Sequence, residues 1–166
     1  MNVAGYVKLA KLWERSREEA LQLQQQYYAD LMKKYPEYHL VDVYVDITGN
    51  KEIRKRSEMV RLLGDCMAGK VDLIYSQTKA YFAANTKEFC FLLKFLFELE
   101  HRVDLITEDR SYNINTITDK DNQREELFNM AEKYCSLNPA DYDKWKKSIL
   151  KLTGENTNNE RKRKGS

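Results

Sequence analysis

The sequence predicts an α/β fold, a mostly parallel sheet of about four to five strands with helices on both faces, plus C-terminal helices. Short runs rich in valine, isoleucine and leucine recur along the chain, amphipathic helical stretches separate them, and beyond residue 119 only helical periodicity remains. Strands that alternate with helices in this way pair in parallel through right-handed crossovers.

The elements follow in order. Residues 2–9 form the first strand, with Val3, Tyr6, Val7 and Leu9 suited to a mostly buried position. A long helix rich in Glu, Gln, Leu and Ala covers residues 14–34 and stops before Pro36, because the residue preceding proline avoids the α region. HLVDVYVD, residues 39–46, alternates as a second strand, and residues 47–54 are a loop containing Gly49. Residues 56–68 place Met59, Leu62, Leu63 and Cys66 on one helical face, closed by Gly69. VDLIY, residues 71–75, is the third strand. Asn85 with Glu88 then forms a capping-box pattern for a helix reaching Glu100. That helix contains FCFLLKFLF, apolar around most of its circumference, so Phe91, Phe95 or Phe97 offers surplus surface to a partner. VDLI, residues 103–106, is the fourth strand. Residues 119–136 repeat Leu127, Met130, Ala131 and Tyr134 at helical spacing, and Asn138-Pro139 opens a last helix that fades at Gly154. The chain thus divides into an α/β unit over residues 1–118, C-terminal helices over 119–152, and a disordered basic tail over 153–166.

Composition narrows the function. At 166 residues, 42% hydrophobic and 33% charged, the chain is an ordinary globular protein. No apolar run approaches the ~20 residues of a membrane span, and the N-terminus lacks the pattern of a signal peptide, so the expectation is cytoplasmic. Cys66, Cys90 and Cys135 form no C-x-x-C pair and read as reduced thiols. His39 and His101 lack ligand spacing, so no metal and no cofactor are expected. Residues 151–166 carry five basic and two acidic side chains, which leaves residues 1–150 near −1 of the net +2. A body that grips DNA over a broad face would show a basic surplus there.

In parallel sheets ligands bind beyond the carboxyl ends of the strands. The stretches at those ends are residues 8–11, 46–50 and 76–85. They contain no phosphate-cradling glycine motif and no serine or cysteine near a histidine. Asp42, Asp46, Asp72 and Asp104 read as edge or cap residues rather than as an acid–base pair.

These segments nevertheless resemble, in order, the resolvase/invertase family of serine recombinases over residues 3–115, and most clearly the large recombinases of mobile elements. GYVKLA (residues 5–10) stands where the family has Y-A-R-V-S, and ALQLQQQYY (20–28) is similar to S-L-E-A-Q-R-x-Y-Y. VYVDITGN (43–50) and KRSEM (55–59) echo V-Y-x-D-x-G-I-S-G and K-R-P-E-F. DCMAGKVDLI (65–74) matches D-x-x-A-G-K-I-D-L-I, and AYFAANT (80–86) meets S-R-F-A-R-N-T. The resemblance implies a resolvase-like catalytic domain. It also implies a chemistry in which a serine attacks a DNA phosphodiester while arginines hold the charge that develops.

Most of that equipment is replaced. Ala10 occupies the nucleophile's place, Lys8 replaces an arginine fork, and Tyr81 and Ala84 stand where two further arginines belong, with Ala80 before them. Gln24, Asp46 and Arg56 survive, with Asn85 and Thr86 at the helix cap. The implied function is a degenerate site-specific recombinase homologue of a mobile element, a pseudoenzyme unable to cleave DNA that acts as an accessory or regulatory protein in DNA recombination. Two alternatives remain open: an active recombinase or nuclease using Ser16 or Tyr81, and a small-ligand or phosphate-binding module lined by Lys8, Gln24, Asp46, Arg56 and Tyr81. The family uses the region of residues 119–137 for dimerisation, so a homodimer or a protein partner is expected. Arg161, Lys162, Arg163 and Lys164 could touch DNA weakly, and no membrane is expected as a partner.

Overall fold

A computed structural model describes residues 1–109, 114–117 and 122–164, through the backbone alone at residue 122 and from 155 onward. Alternation along β1 (Asn2–Leu9) sets up two layers. Val3 and Val7 pack against one face of the sheet and Ala4 and Tyr6 against the other. β1 lies at the centre, paired in parallel with β2 (His39–Ile47) and with β3 (Leu73–Ser76), which in turn pairs with β4 (Asp104–Thr107), giving the order β2-β1-β3-β4. Four strands are present among the described residues. Burial on both faces explains why Leu73, Ile74 and Tyr75 of β3 form a continuous apolar run and not an alternating one. At the β2 edge the register skips Val41, a bulge that twists an exposed strand away from further pairing.

Among the described residues one helix lies on one face and five lie on the other. α1 (Arg17–Met32) brings Ala20, Tyr28 and Met32 onto Val3, Val7 and the odd-numbered residues of β2. It begins at Arg17, not at residue 14, because the chain leaves β1 through a 3-10 turn, Lys11–Ser16, in which Trp13 N–H donates to the Ala10 carbonyl (3.0 Å). Gly5 is the reason α1 can come so close. A Cβ there would lie 2.9 Å from the ring of Tyr28, whose hydroxyl donates to the Tyr75 carbonyl at 3.2 Å.

On the opposite face lie α2 (Ser57–Met67), the single turn α3 (Lys79–Phe82), α4 (Thr86–Phe97), α5 (Asn122–Ser136) and α6 (Pro139–Lys164). α2 ends as the sequence predicts. Gly69 takes φ +76°, its N–H donates to Cys66 O and that of Lys70 to Asp65 O, which satisfies two carbonyls left free by the last turn. α4 fulfils half of its capping box: the Asn85 side chain accepts from Glu88 N–H (2.9 Å). The Glu88 carboxylate does not return to Asn85. It accepts instead from Trp145 Nε1 of α6 (3.2 Å) and Ile53 N–H (3.4 Å), and its burial raises its pKa.

The C-terminal helices share the core of the sheet. Ala131, Cys135, Tyr142, Trp145 and Ile149 are all buried against α2 and α4. The aromatic surplus expected on α4 is therefore covered within the chain. Phe91 packs on Tyr142 and Trp145, Phe95 on Trp145, and Phe97 on Phe128 of α5. The tail expected from residue 153 is also corrected, because α6 continues as helix to Lys164. Gly154 lacks the clash and the missing N–H that make proline a stop, and costs only about 1 kcal/mol relative to alanine. Just before it, Thr153 is buried, and it packs close enough to α2 that a Cβ added at Gly64 would meet its methyl group at 3.6 Å. The three cysteines are free and buried. Burial pushes all their thiols upward, that of Cys135 to about 11, so they are poor nucleophiles.

Candidate functional site at the strand ends

β1 and β2 leave the sheet together, with Lys8 opposite Asp46 and Leu9 opposite Ile47. Even-numbered residues of both strands face α2, so Lys8, Tyr6, Tyr44 and Asp46 belong to one side. Asp46 is buried and turned toward the start of α2. Its Oδ1 accepts from Glu58 N–H, and its Oδ2 from Met59 N–H and the Tyr6 hydroxyl, each at 2.9 Å. A carboxylate in this place satisfies two of the orphan amide groups of the helix and complements its dipole. Asp46 is thus a helix cap supplied from a neighbouring strand.

Arg56 is wholly buried. Its Nε donates to Asn50 O (3.1 Å), and its Nη1 to Tyr81 O (2.9 Å) and Phe82 O (3.1 Å). The guanidinium therefore ties the loop after β2 to the loop after β3. Its Nη2 is buried without a partner. Lys8, half-buried above this tie, has its pKa lowered by desolvation first, then by the charges of Arg56 and Lys51. Three cations thus act on one another at the strand ends, while the Asp46 carboxylate is directed to α2.

The other expected positions sit as follows. Ala10 is exposed at the end of β1, presenting a methyl group, and Ala84 is exposed just before the Asn85 cap. Tyr81 is half-buried, with its hydroxyl donating to Gln77 Oε1 at 3.4 Å and its carbonyl held by Arg56. Gln24 projects from α1 with its Oε1 buried and unpartnered, as is the hydroxyl oxygen of Thr78. Ser16 is the last residue of the 3-10 turn and the N-cap of α1, five residues past the strand-end turn's start at Lys11. The structure thus brings Lys8, Arg56 and Tyr81 together, places Asp46 beside them facing away, and keeps Ser16 apart. The side chains of Arg161, Lys162, Arg163 and Lys164 lie outside the described residues. Among the described residues no cluster of His, Cys, Asp or Glu could hold a metal ion, and no helix is long and apolar enough to cross a membrane.

Lys51 and Thr78 were not legible as site residues. A single lysine or threonine in a loop carries no pattern, and only the fold places one beside Lys8 and leaves the other unpartnered. The remaining aspartates are structural, as read. Asp72 bonds His101 and Asn2 N–H, and Asp104 bonds Arg124, Arg102 and Thr116.

No protein-family model matches the chain, and no curated protein matches it in sequence. Solved structures do. The N-terminal catalytic domain of TP901-1 integrase is similar at a TM-score of 0.58 and 18% identity, over 83% of this chain and 99% of that one. A resolvase family site-specific recombinase from Streptococcus pneumoniae is similar at 0.53 and 18%, over 98% and 99%. The C-terminal catalytic domain of ISC1926 TnpA, an IS607-like serine recombinase, is similar at 0.50 and 14%, over 82% and 99%. The fold of this chain is therefore that of a serine recombinase catalytic domain.

Proposed function

We propose that the chain is a serine recombinase homologue that has lost DNA cleavage and acts as an accessory or regulatory protein in the recombination of a mobile element. The observation that carries this is the state of the cleft. The side chain at position 10 offers no hydroxyl, and Arg56 is sequestered on three main-chain carbonyls with no exposed surface. Phosphoryl transfer needs a nucleophile together with fixed donors for the charge that develops, and groups of this kind act as a unit. Ala10→Ser should therefore stay inactive on supercoiled plasmid, with neither nicked circles nor covalent protein–DNA adduct above background. Adduct formation by this variant or by the parent chain would overturn the proposal.

A second reading is favoured by the buried, unpartnered Arg56 Nη2 together with Lys8 and Lys51, whose charges act with that of Arg56 at the strand ends. Such a site suits a small anion. At a concentration of ~100 Kd, inorganic phosphate would stabilise the native state by about 2.7 kcal/mol, read as a rise in melting temperature that Lys8→Gln abolishes. The same melting temperature with and without phosphate removes this reading.

A further inference from the structure

The overall charge conceals a strong segregation. α6 carries eight basic and four acidic side chains, a net of +4, whereas the whole chain is +2, so everything outside α6 sums to −2. Within α6 the apolar stripe of Tyr142, Trp145 and Ile149 is buried in the core. Lys144, Lys147 and Lys151, spaced i, i+3 and i+7, therefore share another face, and all three are exposed. Among the described residues none of the three makes an ion pair.

This face has a second wall. Arg54 and Lys55, in the turn after β2, line a shallow groove of about 390 Å3 together with Ser148, Lys151 and Leu152. A neighbouring groove along the helix is lined by Lys144, Lys147 and Lys151, with Asp143 its one acid among the described residues. Glu52 pairs with both Arg54 and Lys55 and offsets one of their two charges. The loop after β2 thus faces two ways, with Lys51 acting on Lys8 in the cleft and Arg54 and Lys55 flanking α6.

We propose that this face of α6, with Arg54 and Lys55 beside it, is a docking surface for the phosphate backbone of duplex DNA, bound without reading its sequence. A duplex presents one negative charge per ~1.7 Å of axis, and the three lysines span ~10 Å of helix at 1.5 Å per residue. Several phosphates therefore fall within their reach. The groove walls supply charge, a serine, an alanine and one half-buried leucine, which suits backbone contact and not base readout. An anionic lipid surface fits less well, because interfacial helices bury an apolar face in the bilayer and the apolar stripe of α6 is already occupied. The proposal deepens the accessory role above and rests on it for its biological sense, but its test reads binding and not cleavage.

Fluorescence anisotropy with a labelled duplex of ~25 base pairs, titrated with the full chain at several salt concentrations, tests it. The parent chain should bind with an affinity that falls steeply as salt rises. Lys144→Gln/Lys147→Gln/Lys151→Gln should bind at least ~10-fold more weakly at ~50 mM salt, and the slope of log K against log salt should shrink by about 2–3, near 0.9 per lost phosphate contact. Lys33→Gln/Lys34→Gln/Lys133→Gln removes the same charge from exposed positions in the turn after α1 and on α5, and should bind within ~2-fold of the parent. Equal losses in the two triple variants, no binding by the parent at ~50 mM salt, or binding to phosphatidylserine vesicles without binding to duplex would each overturn the proposal. Circular dichroism and melting curves of the variants exclude unfolding as the cause. A chain that cleaves DNA yet shows this pattern keeps the α6 surface and loses the accessory reading. A chain that neither cleaves nor binds does the reverse.

Discussion

Arg56→Ala should unfold ~10 °C below the parent chain, a loss of about 3 kcal/mol for a protein of this size. The side chain is wholly buried, and its Nε and Nη1 supply donors to three main-chain carbonyls of two separate loops. Alanine leaves those carbonyls without partners in a dry site, and each orphaned group of this kind costs about 1–3 kcal/mol. Relief from burying a charge returns part of the loss, which is why the expected total is below the sum. Arg56→Lys should recover less than half, because one ammonium cannot serve acceptors that diverge around a planar fork. Limited proteolysis distinguishes this tie from a general loss of packing. Cuts should appear first in residues 48–56 and 77–85, the two loops that the guanidinium joins. A variant that melts within ~2 °C of the parent would show that Arg56 does not hold them.

Asp46→Ala should be comparably severe, at about 3 kcal/mol in urea denaturation with an unchanged m-value. Both carboxylate oxygens are used, by two amide groups at the start of α2 and by the Tyr6 hydroxyl. The variant strips the cap and leaves a buried phenol without its acceptor. Asp46→Asn should fall between, since one amide oxygen can still accept while the NH2 group confronts a backbone N–H donor. Equal stability of Asp46→Ala and the parent would mean that solvent reaches these groups.

These two residues mark where the sequence was informative and where it was not. Both stand at positions that resemble a catalytic pocket, and both are close to one another at the strand ends. Residue type and order could place them there but could not orient them. An arginine can present its fork to a ligand or to its own backbone, and the choice depends on carbonyls 25 and 26 residues away. The strands were legible because β1 carries the apolar residues of a mostly buried strand and valine alternates along β2. The helix ends were legible where local chemistry decides them, at Gly69 and at Asn138-Pro139. Glu88 shows the limit. Its local pattern predicted a reciprocal cap, and a tryptophan 57 residues later claimed the carboxylate instead. The cover that α5 and α6 place over FCFLLKFLF was hidden for the same reason, since amphipathic helices far apart in sequence do not announce which face meets which.

That cover also sets a timetable. During synthesis the chain grows at ~5–20 residues per second from the N-terminus, and the sheet can close once β4 has appeared. Phe91 and Phe95 remain uncovered until Tyr142 and Trp145 have been added. The nascent chain therefore passes through a stage with a finished sheet and a sticky flank, and it becomes safe from self-association only when its last helix arrives.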